Sequence, residues 1–184
     1  MSRGKKSPAI FLDRDGVIIA DKSYQIDPAG IEFLPGSVDA LKRAGSFYLL
    51  IVVSNQSGIA RGYFTSNDVL EFNRILDLQL KARGINISGW YFCPHGPDEG
   101  CSCRKPQTGL IFQAAAELSV DLDGSWVIGD KSSDIAAGAV SGLKTILIGS
   151  GNSNQEQDKK KTEPDFKAND LLEAMKIIDK DVKT

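Results

Sequence analysis

The stretch AIFLDRDGVII, from Ala9 to Ile19, places two carboxylates at the end of an apolar segment. In extended backbone, side chains two residues apart lie on the same side, so Asp13 and Asp15 face one small volume while Arg14 points elsewhere. Gly16 follows and permits a turn directly after the pair. Two neighbouring carboxylates repel each other, and such a pair usually holds a hard cation or shares proton transfer. The same residues also fit a polar strand end that runs into a loop.

Apolar, strand-like segments alternate with longer, helix-like segments along the chain. The strand candidates are AIFLD (9–13), FYLLIVVSN (47–55), ISGWYFC (87–93), SWVIGD (125–130) and KTILIG (144–149). The helix candidates are GSVDALKRAG (36–45), TSNDVLEFNRILDLQLKARG (65–84), TGLIFQAAAEL (108–118), SSDIAAGAVSG (132–142) and NDLLEAMKIID (169–179). This alternation predicts a doubly wound α/β fold with a mostly parallel sheet, whose ligands bind beyond the carboxyl ends of the strands.

Polar residues follow four of the strand candidates, at the edge of the sheet where ligands are expected. They are Asp13, Ser54, Asn55, Cys93 and Asp130. A long irregular segment from Asp21 to Pro35 comes before the first helix and predicts a flap or rim over that edge. We therefore expect one site, built from several parts of the chain.

Length and composition limit the class of protein. With 184 residues, 41% of them hydrophobic, we expect one domain, with residues 1–7 disordered and residues 150–165 forming an exposed loop. The net charge of −2 argues against a nucleic-acid or anionic-membrane partner. The three cysteines lie within eleven residues, so a disulfide framework is not expected. We expect a cytoplasmic monomer.

The segment CPHGPDEGCSC (93–103) contains every cysteine and the single histidine of the chain. Cys93, His95, Cys101 and Cys103 form a Cys3His set, which zinc prefers in closed structural sites. Four of the seven intervening residues are proline or glycine, so the loop has little core of its own and the metal would provide its fold. The segment predicts a zinc-organised loop.

Two loops offer groups that can bind an anion. CRKPQTG brings Arg104 and Lys105 directly after the predicted zinc loop, and Pro106 suits the first turn of the next helix. SNQSG (54–58) follows the second strand and can donate side-chain and backbone hydrogen bonds to phosphate oxygens. By itself the second loop also fits an ordinary turn.

VIGDKSSD places Asp130 at a strand end, with Lys131 next to it and Asp134 one turn further. Magnesium takes one or two protein carboxylates together with water and phosphate oxygens, so Asp130 can complete a site begun by Asp13. Asp134 can bind the ion, reach it through water, or cap the following helix. We favour Asp130 as the ligand.

Taken together, DRDGV, VVSNQSGIARG, CRKP and GDKSSD resemble the four ordered motifs of the haloacid dehalogenase (HAD) superfamily, over about Ala9 to Gly149. Within it, FLDRDG, SNQSGIARG and the metal loop followed by RKP resemble the D-glycero-D-manno-heptose 1,7-bisphosphate 7-phosphatase family. The histidinol-phosphate phosphatases share these motifs. The resemblance implies a Rossmann-like HAD fold without a large cap domain, and a phosphorylated sugar as substrate.

The resemblance also implies roles for individual residues. Asp13 would be the nucleophile, giving an aspartyl phosphate, and Asp15 would protonate the leaving alcohol and later activate water. Mg²⁺ would be held by Asp13, the backbone carbonyl of Asp15 and Asp130. Ser54 would hydrogen-bond the transferred phosphoryl group and Lys105 would neutralise its charge.

The expected substrate-binding residues lie in the flap, the SNQSG loop, the segment after the zinc loop and the start of the last motif. They are Asp21, Lys22, Ser23, Tyr24, Asn55, Gln56, Ser57, Arg104 and Lys131. The sequence departs from the family pattern at Ser54, where threonine is frequent, and in a short metal loop between His95 and Cys101. The short loop leaves the choice of substrate or anomer open.

Three alternatives stay open at the level of the sequence. The first is a histidinol-phosphate phosphatase, although a second phosphate on the substrate suits Arg104 better than an imidazole does. The second is a receiver-type phosphoacceptor domain, in which the accepting aspartate follows a later strand than Asp13 does here. The third is an inactive, zinc-organised binding module, against which the complete set of polar residues argues.

Overall fold

Six parallel strands form the sheet in the computed structural model, which describes residues 6–149 and 162–182. The strands are β1 Ser7–Leu12, β2 Leu49–Asn55, β3 Gly89–Cys93, β4 Val120–Gly129, β5 Lys144–Ile148 and β6 Phe166–Ala168. Their order in the sheet is β3-β2-β1-β4-β5-β6, and every neighbouring pair is parallel. The predicted doubly wound α/β fold is confirmed.

Five helices connect and flank the strands. They are α1 Ser37–Ala44, α2 Ser66–Lys81, α3 Gly109–Glu117, α4 Ser132–Val140 and α5 Leu171–Asp181. A short 3-10 helix, Pro28–Gly30, lies in the segment predicted as a flap. None of the helices in the described part of the chain is both long and apolar enough to cross a membrane.

The sheet has a hydrophobic core on each face. Because side chains alternate along a strand, Ile10 and Leu12 of β1 pack with residues of α1, α2 and α5, while Phe11 packs with residues of α3 and α4. Burial on both faces explains the continuous apolar runs of β1 and β2.

The strand order reverses between β1 and β4, and this reversal positions the site. Leu12 pairs with Val52 of β2 and with Ile128 of β4. The backbone N–H of Asp13 donates to the Ile128 carbonyl oxygen at 3.1 Å. Asp13 therefore leaves the sheet beside Asp130, at the kind of switch point where doubly wound folds bind their ligands.

The helix boundaries agree with the predicted ones to within a few residues. Thr65 caps α2: its hydroxyl accepts from the N–H of Asp68 at 3.3 Å, and the Asp68 carboxylate accepts from the N–H of Thr65 at 2.7 Å. Gly84, after this helix, has a positive φ of 78°, as a glycine stop requires.

Several predicted boundaries are wrong. Ser7, predicted to be disordered, starts β1, and β4 begins at Val120, five residues before the predicted strand. Strand β6 was not predicted, because three residues are too short to show a periodic pattern. Pro106 is not in the first turn of a helix, since α3 starts at Gly109. Of the predicted exposed loop 150–165, residues 150–161 lie outside the described residues, as do residues 1–5 of the predicted N-terminal tail.

Candidate active site

A cavity of about 570 Å³ lies beyond the carboxyl ends of the strands. Of the residues predicted to take part in catalysis or substrate binding, it is lined by Asp13, Asp15, Asp21, Ser23, Tyr24, Asn55, Gln56, Ser57, Arg104, Lys105 and Lys131. The sequence therefore identified most of the side chains that the fold brings together. Ser54 is buried next to this group, where its hydroxyl oxygen lies 3.4 Å from Nε2 of Gln56.

Lys105 is buried between two carboxylates. Its Nζ lies 2.9 Å from Oδ1 of Asp13 and 2.6 Å from Oδ1 of Asp134, and it donates to the Val53 carbonyl oxygen at 2.6 Å. Burial lowers the pKa of Lys105, but the two carboxylates outweigh it and raise the pKa above its usual value. The ammonium is therefore a permanent positive charge beside Asp13.

The sequence left three possible roles for Asp134. In the structure its carboxylate makes two contacts. Its Oδ2 accepts from the backbone N–H of Lys131 at 3.1 Å, which caps the start of α4. Its other oxygen contacts Lys105. Capping is thus confirmed, and the same carboxylate also holds Lys105 in place.

A group of carboxylates beside Lys105 has the composition of a divalent-metal site. Carboxylate oxygens of Asp13, Asp130 and Asp134 all lie within 4.8 Å of one another. Oδ1 of Asp130 is buried and has no hydrogen-bond partner among the described residues. Burial raises the pKa of Asp130 to about 7, with Lys131 opposing the shift. Unpaired, crowded oxygen ligands of this kind fit Mg²⁺, which prefers carboxylates.

Gly16 makes room for the Asp130 carboxylate. Its φ is 83°, and a Cβ built at this position would lie 2.3 Å from Oδ2 of Asp130. A glycine is needed here for two reasons, because L-residues avoid this backbone conformation and because the carboxylate occupies the space of a side chain.

Asp15 is held by Arg14, which the sequence predicted to point away from it. Nη2 and Nε of Arg14 donate to the Asp15 carboxylate at 2.9 and 3.1 Å. Gln56 adds a third donor, with Nε2 at 3.2 Å from Oδ2 of Asp15. Burial raises the pKa of Asp15, although Arg14 opposes the shift. The expectation for Arg14 was wrong, because the backbone already bends at Arg14 and is not extended through the pair as the expectation assumed.

Asn55 contacts the backbone of Lys105. Its Nδ2 donates to the Lys105 carbonyl oxygen at 3.0 Å, and its Oδ1 accepts from the Lys105 N–H at 3.0 Å. The amide thus ties the end of β2 to the segment that carries Lys105. This use of both amide atoms differs from the predicted substrate contact, although Asn55 does line the cavity.

The flap lies over the cavity and is attached to the start of α4. Nζ of Lys131 is 3.1 Å from Oδ2 of Asp21. Tyr24 is 47% exposed and packs edge-on against Tyr63, with ring centroids 5.0 Å apart. Lys22 does not line the cavity: its ammonium donates to the Gly30 carbonyl oxygen at 3.0 Å and pairs with Glu32. The structure therefore gives no support to the substrate role predicted for Lys22.

The predicted zinc ligands lie together. The ligand atoms of Cys93, His95, Cys101 and Cys103 are all within 4.8 Å of one another. The five pairs that are in contact are 3.1 to 3.7 Å apart. Four ligands about 2.3 Å from a tetrahedral zinc ion stand at nearly these separations. The set fits zinc, with Nδ1 as the histidine ligand atom.

Arg104 connects the zinc loop to the cavity. Its Nη1 donates to the His95 carbonyl oxygen at 3.2 Å, and the residue lines the cavity. Guanidinium has five N–H donors, so this contact leaves donors that can meet a substrate phosphate. The loop therefore fixes the position of a cation at the mouth of the site.

Two buried residues of the site were missed by the sequence. Asn73 of α2 accepts from Nη1 of Arg14 at 2.9 Å. Phe72 packs under the Arg14 guanidinium, whose Cζ lies 4.6 Å from the ring centroid. Both residues lie on the buried face of a helix, where helical spacing predicts only core packing.

Comparisons with known proteins agree with this geometry. Residues 102–174 match the HAD-hydrolase-like family model. A D-glycero-β-D-manno-heptose-1,7-bisphosphate 7-phosphatase of Pasteurella multocida is 38% identical over 183 residues, covering 95% of this chain and 96% of the relative. One of Helicobacter pylori is 46% identical over 142 residues, covering 76% and 82%.

A solved structure of a heptose bisphosphate phosphatase is also similar to this chain. The D,D-heptose 1,7-bisphosphate phosphatase of B. bronchiseptica, complexed with magnesium and phosphate, superposes with a TM-score of 0.83 and 31% identity, covering 95% of this chain and 99% of that one. A receiver-type domain and an inactive binding module are not supported, since the relatives are phosphatases. The chain belongs to the D-glycero-D-manno-heptose-1,7-bisphosphate 7-phosphatase family of HAD-like hydrolases.

Proposed function

We propose that this protein removes the 7-phosphate of D-glycero-D-manno-heptose 1,7-bisphosphate through an aspartyl-phosphate intermediate, with Mg²⁺ as cofactor. The observation that carries the proposal is the position of Asp13, which leaves β1 inside a cavity, 2.9 Å from the ammonium of Lys105 and beside Asp130. The family relationship supports the substrate, since relatives 38% and 46% identical to this chain bear that enzyme's name.

The reaction needs a nucleophile and a proton donor in different positions. A carboxylate oxygen of Asp13 attacks phosphorus, and the bond from phosphorus to the sugar oxygen breaks while Asp15 gives its proton to that oxygen. Water then attacks the aspartyl phosphate and passes a proton to Asp15, so phosphate leaves and both carboxyl groups return to their starting state. Burial raises the pKa of Asp15, which favours the protonated form that the first step requires.

Charge in the transition state is balanced by residues already in position. Lys105 provides a fixed positive charge at Asp13. The buried Ser54 hydroxyl, next to Gln56, would donate to a phosphoryl oxygen. Asp13, Asp130 and the backbone carbonyl of Asp15 would hold Mg²⁺, which supplies the charge that lets a phosphate dianion approach a carboxylate. The crowded, unpaired oxygen of Asp130 supports this assignment.

Groups around the cavity suit a phosphorylated polyhydroxy substrate. Arg104 and Lys131 supply positive charge for the second phosphate, and polar groups of the flap and of the loop after β2 can bind sugar hydroxyls. The polar residues proposed for the hydroxyls are Asp21, Ser23, Tyr24, Gln56 and Ser57. Asn55 contributes by holding the backbone of Lys105.

Zinc has a structural role in this proposal. Cys93, His95, Cys101 and Cys103 would supply all four ligands of a tetrahedral zinc ion, which would leave no position for substrate. The bound ion would fix the loop that ends directly before Arg104, and so would hold the two cations of that segment in place.

The proposed function is tested by a comparison of substrates with Mg²⁺ present. Both anomers of heptose 1,7-bisphosphate, histidinol phosphate and p-nitrophenyl phosphate are compared by kcat/KM. We expect the highest value for a heptose bisphosphate and loss of turnover when Mg²⁺ is chelated. A preference for histidinol phosphate would contradict the proposed substrate, and lack of turnover with every ester would contradict the proposed reaction.

The Gly16→Ala substitution is expected to lower phosphatase kcat/KM about 100-fold, because the new Cβ displaces the Asp130 carboxylate and small errors in position are costly at an active site. The Mg²⁺ concentration needed for half-maximal rate should rise. Gly84→Ala is the matched control, since its φ of 78° gives the same backbone strain but no atom lies within 4 Å of the new Cβ. Equal loss of activity in the two variants would contradict the role assigned to Gly16.

A further inference from the structure

Arg14 is almost fully buried next to the proposed proton donor. Its side chain is only 1% exposed, although Arg14 and both of its neighbours, Asp13 and Asp15, line the cavity. Its guanidinium meets the Asp15 carboxylate side-on, with Nη2 at 2.9 Å from Oδ2 and Nε at 3.1 Å from Oδ1. Two parallel N–H···O contacts fix the plane of a carboxylate as well as its distance.

Arg14 is itself held from the opposite side by helix α2. Nη1 donates to Oδ1 of Asn73 at 2.9 Å, and the Phe72 ring lies 4.6 Å from the guanidinium carbon. Asn73 is buried and Phe72 fully so. A long side chain that is stacked and hydrogen-bonded at its far end has few alternative rotamers. The position of Asp15 is therefore coupled to a helix that does not reach the reacting atoms.

The two oxygens of Asp15 are not equivalent. Oδ2 accepts from Nη2 and Nε of Arg14 and from Nε2 of Gln56, whereas Oδ1 accepts from Nε of Arg14 alone. An oxygen with three donors has little capacity to exchange a proton with a ligand. Oδ1 is thus the carboxylate oxygen that is free to carry a proton and to donate it to the leaving oxygen.

We propose that Arg14, anchored by Asn73, is a positioning residue that fixes the Asp15 carboxylate so that Oδ1 meets the leaving oxygen of the substrate. The inference rests on the proposed function, because it requires a leaving group that accepts a proton. Arg14 does not touch the substrate in this assignment. Its effect passes entirely through Asp15.

The test uses two esters that differ in their need for a proton. An alkoxide leaving from a sugar phosphate needs protonation, whereas p-nitrophenolate leaves without it. The quantity measured is kcat/KM, which reports the steps up to phosphoryl transfer and not the later hydrolysis of the aspartyl phosphate. Asp15→Asn gives the reference change in the ratio of the two values when no proton is donated.

Arg14→Lys keeps the charge but cannot bind both the Asp15 carboxylate and Asn73 with the same geometry. We expect its kcat/KM to fall about 100-fold with heptose 1,7-bisphosphate and no more than about threefold with p-nitrophenyl phosphate. Asn73→Ala, which leaves Arg14 in place and serves if Arg14→Lys fails to fold, should shift the ratio about tenfold in the same direction.

Two further variants separate positioning from general damage. Asn73→Asp keeps an acceptor oxygen for Arg14, so the ratio of its two kcat/KM values should stay at the wild-type value. Asn67→Ala removes an exposed asparagine from the same helix and should leave the ratio unchanged. A merely structural role for Arg14 would lower both kcat/KM values by the same factor.

The inference is overturned if the wild-type protein is active and the ratio stays at its wild-type value in both Arg14→Lys and Asn73→Ala. A wild-type protein that hydrolyses neither ester with Mg²⁺ would overturn the proposed function itself, and with it the role of Asp15. The two failures are distinguished by the activity of the wild-type protein. A ratio that moves toward that of Asp15→Asn supports the inference.

Discussion

Asp13→Asn is expected to abolish phosphate-ester hydrolysis, with a loss of at least about 10⁴-fold in kcat. An amide nitrogen or carbonyl oxygen is a poor nucleophile toward phosphorus, and one of the clustered carboxylates of the proposed metal site is lost at the same time. The substitution keeps the shape of the side chain. Lys105 keeps its contacts with Asp134 and the Val53 carbonyl oxygen, so the fold is expected to stay intact.

Two measurements separate loss of the nucleophile from loss of structure. The circular dichroism spectrum and the urea midpoint of Asp13→Asn should match those of the wild-type protein, and acid-quenched samples should contain no phosphorylated chain. Asp39→Asn is the control, because Asp39 is exposed in the first turn of α1 and its amide should leave turnover unchanged. Appreciable turnover in the Asp13 variant would contradict its assignment as nucleophile.

The fold was predictable because its signal is repeated along the whole chain. The buried strands β1 and β2 give continuous apolar runs, and most of the helices give an amphipathic pattern with a cap or a glycine stop. The edge strand β6, from Phe166 to Ala168, gives no such signal, since three residues are too few to form an apolar run. The early start of β4 at Val120 was missed because charged residues interrupt its first half.

The part of the site that was predictable consists of polar side chains at or directly after the end of a strand. Parallel strands deliver their carboxyl ends to one edge, so Asp13, Ser54 and Asp130 were expected together. The contacts of Arg14 with Asp15 and Asn73 were not predictable. They depend on the backbone bend at Arg14 and on which residue of α2 faces the Arg14 side chain. Lys22 lies away from the cavity although the sequence included it, because its place in the flap does not determine the direction of its side chain.

Lys105→Met is expected to produce the largest combined effect on stability and activity. The substitution keeps the length and apolar part of the side chain but removes the charge that lies 2.9 Å from Asp13 and 2.6 Å from Asp134. The two carboxylates then stay buried next to Asp130 without their cation. Removal of one partner from a buried ion pair typically costs about 3–5 kcal/mol, because the remaining charge has lost water as well.

The free energy of unfolding of Lys105→Met should fall by about this amount when Mg²⁺ is absent, and saturating Mg²⁺ should restore part of it by supplying positive charge to the same carboxylates. Its kcat should fall about 10³-fold even with Mg²⁺, since the metal does not replace the donor that we propose for the phosphoryl oxygens. Urea denaturation with and without Mg²⁺ measures the first effect. Lys81→Met is the control: Lys81 is exposed and pairs with the half-buried Asp77 one helical turn away at 2.7 Å, and pairs with an exposed partner contribute less than about 1 kcal/mol. If both lysine variants lost the same stability, Lys105 would be an ordinary surface-type pair, and its assignment as the buried counter-charge of Asp13 would be wrong.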